Sequence, residues 1–183
     1  QTELLRFDRK LAALVTRLQR TPLDRALIEQ AVLSVRAEPL ASQVPLDAVE
    51  ITEPEEPVLV AVYRTDLLLI LKNLLRNAIL AVGRCPAPRQ IAVDVLLELL
   101  PTGEEVVKLR VHDSSPETLT PEQIYRSGDA AAQGAQHGLS LVTAALSLYS
   151  GSISVGAGRA GYQKCVIVQL FRAFDGAAPE EAA

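Results

Sequence analysis

The sequence predicts an α+β fold, a two-layer α/β sandwich in which a mixed sheet carries helices on one face, preceded by an N-terminal helix. Three observations predict it. The stretch Asp66 to Val82, DLLLILKNLLRNAILAV, places Leu67, Leu71, Leu74, Leu75, Ala78 and Val82 at helical spacing, an amphipathic helix with a wide apolar face. Two pairs of β-rich runs follow, each pair joined by a short Gly-containing turn, and a second apolar helix separates the pairs. Of 183 residues 49% are hydrophobic and 4% aromatic, the composition of one globular domain with an aliphatic core.

Taken in order, Thr2 to Leu18 reads as a helix with Leu4, Leu11, Leu14, Val15 and Leu18 along one side. That stripe needs a partner, either the body of the domain or a second copy of itself. Thr21 and Pro22 suit the N-cap and first position of a helix running to Arg36 and ending before Pro39. Val44 to Ile51 is expected as an edge strand, TEPEEP as a turn, and Val58 to Tyr63 as a compact β-rich run. In the central helix Asp66 meets the positive end of the dipole, and Gly83 with Pro86 and Pro88 closes the far end. Ile91 to Leu100 and Val106 to His112 form a hairpin around Pro101 to Glu104. Pro121 to Arg126 suits a single helical turn, and the Gly/Ala-rich Ser127 to Gln136 suits a mobile loop. A helix from Leu139 to Tyr149 follows, then strands Gly151 to Ala157 and Gln163 to Phe174 around the Gly158–Gly161 turn. The expected division is a helical element over residues 1–20, the main domain over 21–175, and a disordered tail over 176–183.

Several function classes drop out. Net charge is −4, which gives no nucleic-acid surface. No apolar run reaches membrane-spanning length and no signal peptide is visible, so a cytoplasmic location is expected, with Cys85 and Cys165 as reduced thiols. The cysteines lack metal-ligand spacing, and neither Ser–His–Asp order nor paired carboxylates appear. Methionine is absent and the chain opens on Gln1, which suggests a piece of a longer protein.

The chemistry centres on the long helix. Asn73 and Asn77 stand at i and i+4, so both amides leave the same side. Alone, such a pair only borders a solvated stripe. The spelling NLLRNAI, however, resembles the asparagine box of the histidine-kinase-like ATPases, the superfamily shared with gyrase and MutL. The likeness runs from about Thr21 to Phe174, with its parts in the family's order. It implies ATP and magnesium as ligands, with Asn77 as the magnesium ligand, a role that suits a hard neutral amide oxygen. His112 to Glu117, VHDSSPE, stands at the first glycine box, and by resemblance Asp113 accepts a hydrogen bond from the adenine amino group. Ser115 and Glu117 replace the box's two glycines, adding side chains where backbone normally approaches the ligand. Gly134, Gly138 and Leu139 match the second glycine box, with Gln136 at its middle glycine, and Gly138 is expected to open the following helix. By the same resemblance Cys165 stands at the adenine pocket, and Leu80 replaces the family's Lys or Arg three residues after the magnesium Asn.

Neither His112 nor His137 resembles a phosphoaccepting histidine, which the family carries on a dimerisation helix followed by an acidic residue. The resemblance therefore implies the ATP-binding domain of a two-component histidine kinase. It would present Mg-ATP to a histidine elsewhere, and its partners would be a phosphoacceptor or response-regulator protein and a second copy of the N-terminal helix. The alternative is a degenerate, catalytically inactive domain of the same fold that serves as a dimerisation or docking module.

Overall fold

The computed structural model describes residues 20–45, 49–86, 88–117, 119–120 and 135–173. The helix expected over Thr2 to Leu18, the turn at Pro121 to Arg126, Gly134, residues 127–134 of the expected loop and the tail lie outside these residues.

Two sheets and three helices make up the described chain, which is the α+β architecture expected. The main sheet has five strands in the order β2 (Glu50–Thr52), β4 (Ile91–Leu99), β5 (Glu105–Asp113), β7 (Lys164–Phe171) and β6 (Ser152–Ala157). β2 pairs with β4 in parallel and every other pairing is antiparallel, so the sheet is mixed. A small antiparallel sheet joins β1 (Arg20–Pro22) to β3 (Leu59–Ala61). Both anticipated hairpins are present, and Gly103 supplies the left-handed φ of +86° that the β4–β5 turn requires.

Strand alternation divides the sheet into two faces. Val93 and Val95 of β4, Val107, Leu109 and Val111 of β5, and Val166, Val168 and Leu170 of β7 join one core with all three helices. α1 (Arg25–Arg36) contributes Leu27, Ile28, Ala31 and Val35. α2 (Arg64–Gly83) contributes Leu67, Leu71, Leu74, Leu75, Ala78 and Val82, the apolar stripe read from the sequence. α3 (Ala135–Ser147) adds Leu139, Val142 and Leu146. Residues one position out of step, among them Asp94, His112 and Cys165, point to the opposite face.

Four local expectations change. Thr21 is a strand residue whose hydroxyl donates to Val62 O at 2.6 Å; α1 is capped instead by Asp24, which accepts from Leu27 N at 2.8 Å. Cross-strand pairing outweighs the weaker threonine cap. β2 is only Glu50–Thr52, shorter than the run expected from Val44. Gly83 is the last helical residue of α2 and serves packing, because a Cβ there would meet Val44 Cγ2 at 2.7 Å. α3 begins at Ala135, three residues before Gly138, since Ala135 and Gln136 are good helix formers and the middle glycine is missing.

Candidate functional site

α2 and α3 carry the first half of the site, and they run antiparallel. At one end the Tyr149 hydroxyl, just beyond α3, donates to the Asp66 carboxylate in the first turn of α2, and the Tyr149 and Tyr63 rings meet edge-on at 6.3 Å. Burial and the Asp66 hydrogen bond push the Tyr149 hydroxyl up to about 12, so it stays protonated. One to two turns along α2, Asn73 lies against Gly138: a Cβ on Gly138 would come within 3.0 Å of Asn73 Oδ1. Asn73 Nδ2 also donates to Leu69 O at 2.8 Å, which fixes its amide.

Asn77 lies one turn further along α2, past the level of Gly138 in the first turn of α3. Asn77 is half-buried, and no hydrogen bond among the described residues takes its amide. The first N–H groups of α3 have no partner within the helix, so this end attracts anions. A cavity of about 400 Å³ is lined by Thr65, Leu68, Leu69, Lys72, Asn73 and Arg76 of α2 and by Glu38. Arg76 also pairs with Glu38 at 3.1 Å. Asn77 does not line that cavity. Among the described residues no group of three or more His, Cys, Asp or Glu side chains is placed to hold a metal, so magnesium at Asn77 would rely on phosphate oxygens and water.

The second half of the site is the turn after β5. Asp113 is 1% exposed, and its Oδ1 accepts from Ser115 N at 2.9 Å. Burial lifts the Asp113 carboxyl to about 6, against the opposing pull of Lys164, whose Nζ stands 3.6 Å from Oδ2. Ser115 is wholly buried; its hydroxyl accepts from Glu117 N at 3.2 Å and from the Cys85 thiol at 3.6 Å. Glu117 pairs with Arg84, the C-cap residue of α2, at 3.5 Å. The Ser115 and Glu117 side chains thus brace the turn and fasten it to the end of α2. No described hydrogen bond, ion pair or cavity joins Asn77 to Asp113.

Solved structures were compared with this fold. A mycobacterial sensor histidine kinase, MprB, superposes with a TM-score of 0.63 at 18% identity, over 84% of this chain and 96% of that one. The catalytic domain of histidine kinase ThkA gives 0.64 at 20% identity, over 84% and 94%. Full-length ShkA in complex with AMPPNP gives 0.60 at 23% identity, covering 91% of this chain and 34% of ShkA. The chain has the histidine-kinase catalytic-domain fold. No protein-family model matches the sequence, and no curated protein matches it.

Within that fold the sequence reading misplaced one residue and overlooked a group. Cys165 faces away from the helices: its Sγ lies 3.7 Å from His112 Nε2, and burial pushes the thiol up to about 11. Lys164, its neighbour, is the residue opposite Asp113. The overlooked group lies on the sheet face turned away from the described helices. Arg159, from the β6–β7 turn, reaches Asp94 at 3.0 Å and Glu50 at 2.7 Å and stacks over Tyr162. His112 Nε2 lies 3.1 Å from Asp94 Oδ2, and its Nδ1 accepts from Arg159 N at 3.3 Å. A ring nitrogen that accepts is unprotonated, in keeping with a His112 pKa lowered by burial despite Asp94. Period-two alternation along β5 and β7 was the signal available for the facing of His112, Lys164 and Cys165. No helix of the described residues is long and apolar enough to cross a membrane.

Proposed function

We propose that this chain is the nucleotide-binding domain of a histidine kinase, holding Mg-ATP through Asn73, Asn77, Gly134, Gly138 and Leu139, with Asn77 as the magnesium ligand and Asp113 at the base end. One observation carries the reading. Asn73 of the asparagine helix packs directly on Gly138 of the second glycine box, where a Cβ would press on Asn73 Oδ1 at 3.0 Å. Two segments singled out for phosphate chemistry, more than sixty residues apart, are thereby brought together. The Asn77 amide, one turn further along α2, takes no hydrogen bond among the described residues, and the N–H groups at the start of α3 favour phosphate.

Bound magnesium would offset the charge of the phosphates; the protein's part is to position them. The domain would serve a phosphoaccepting histidine on another module, because His112 is buried on the far face among charged partners. A response regulator would then be the downstream partner, with the N-terminal helix contributing to a dimer.

A second reading, a catalytically inactive docking module, is favoured by Ser115 and Glu117, which close the turn where the family keeps glycine. Calorimetric titration with Mg-ATP separates the two. The nucleotide reading expects saturable binding that Asn77→Ala weakens. If wild type and the Ser115→Gly/Glu117→Gly variant both fail to bind at millimolar nucleotide, only the docking reading survives.

A further inference from the structure

We propose that Lys164 makes this domain indifferent to the base of its nucleotide: its ammonium occupies the carboxylate on which adenine recognition would depend, leaving the ligand to be held by its magnesium–triphosphate end. This rests on the nucleotide-binding reading and specifies what that site selects.

The argument begins with strand register. β5 and β7 pair with Asp113 opposite Lys164 and His112 opposite Cys165, and alternation sends the first pair to the helix side of the sheet. Lys164 is 7% exposed and Asp113 1%, so both charges are inside the protein. Each carboxylate oxygen already has a partner: Oδ1 takes the Ser115 N–H at 2.9 Å and Oδ2 faces Lys164 Nζ at 3.6 Å. An amino group on a purine donates, and so competes with both. Drawing Asp113 towards it would leave the Lys164 ammonium buried without its counter-ion, a costly arrangement in a low dielectric. Ser115 adds a second barrier, since its buried side chain lies under the turn and Glu117 is held across it by Arg84. The phosphate end shares none of these contacts: Asn73, Gly138 and the unengaged Asn77 belong to α2 and α3.

The test is calorimetric titration of the full chain with Mg-ATP, Mg-GTP and magnesium tripolyphosphate, the last carrying no base. Wild type is expected to bind the three within about threefold of one another. Lys164→Thr frees Asp113 and is expected to favour Mg-ATP over Mg-GTP by tenfold or more, with tripolyphosphate unchanged. Lys164→Gln keeps the bulk of the chain and a donor, removes the charge, and serves as the check should the threonine variant fold poorly; it is expected to move the ratio the same way. A tenfold preference for either base in wild type overturns the inference while leaving the nucleotide reading standing. So does a ratio unmoved in both variants. Absence of binding by all three ligands to wild type and both variants overturns the inference and the nucleotide reading together.

Discussion

His112 and Asp113 are neighbours in the chain and look out from opposite faces of one sheet. On the helix side, Asp113 sits at the edge of an aliphatic core, and elsewhere on that side the Asn77 amide takes no hydrogen bond among the described residues. On the other side, the more closed of the two, His112 belongs to a network in which Asp94, Arg159, Glu50 and Tyr162 bond one another, beside Arg110, whose Nε is buried without a partner among the described residues. A network of polar groups bonded across strands holds the fold. A helix-borne amide that no described neighbour engages is available to a ligand. The same chemistry of amides and carboxylates therefore has opposite meaning on the two faces, and substitutions on them should separate stability from binding.

The largest effect is expected on the closed face. Asp94→Ala removes the acceptor shared by His112 and Arg159, whose guanidinium is only partly exposed. Breaking a mostly buried network of this kind should cost roughly 2–3 kcal/mol in urea denaturation. A loss below about 1 kcal/mol would mean that this network is as screened as an ordinary surface pair, and the contrast between the faces would go.

Next in size is Asn77→Ala on the open face. Its amide makes no described hydrogen bond, so stability should stay within about 0.5 kcal/mol of wild type. Mg-ATP affinity should fall at least tenfold, about 1.4 kcal/mol. Equal loss of stability and affinity would show that Asn77 is a structural residue after all.

How much of this was legible follows the range of the interactions. α2 could be read because its stripe repeats every three to four residues, and the hairpins because Pro101 to Glu104 and Gly158 to Gly161 announce turns. Asn73, Asn77 and Gly138 are singled out by local spelling, and the structure packs Asn73 on Gly138. Asp24 was missed as the cap because Thr21 offered an equally good local signal, and only pairing with β3, some forty residues on, decides between them. The Arg159 network joins residues more than a hundred positions apart, with no local pattern to betray it. Lys164 was passed over in favour of Cys165 for want of one step of register, and that step reverses the face.

The Asn73–Gly138 contact gives a smaller, sharper test. Gly138→Ala gains helix propensity but presses its Cβ to about 3 Å from Asn73 Oδ1. In wild type these should nearly cancel. In an Asn73→Ala background the crowding is gone, and Gly138→Ala should stabilise by up to about 1 kcal/mol. A double-mutant cycle reads the coupling directly, and additive values would mean that the two helices do not meet there.

The smallest effect is one that wild type should largely hide. Burial raises the Asp113 carboxyl from 3.8 to about 6, so between those values the folded state holds a proton that the unfolded chain has released. Stability from this group therefore falls as pH rises through that window. His112 is lowered from 6.5, again by burial, so just below 6.5 the unfolded chain binds the proton more readily. Stability from that group therefore falls as pH drops through 6.5. The two slopes oppose each other around pH 5 to 6, and wild type should change by less than about 1 kcal/mol there. Asp113→Asn should unmask the histidine, with stability climbing as pH rises towards 6.5. His112→Gln should unmask the carboxylate, with stability declining as pH rises towards 6. Denaturation midpoints of the three proteins at closely spaced pH values decide it. Slopes of the same sign in both variants would show that the two faces do not titrate against each other.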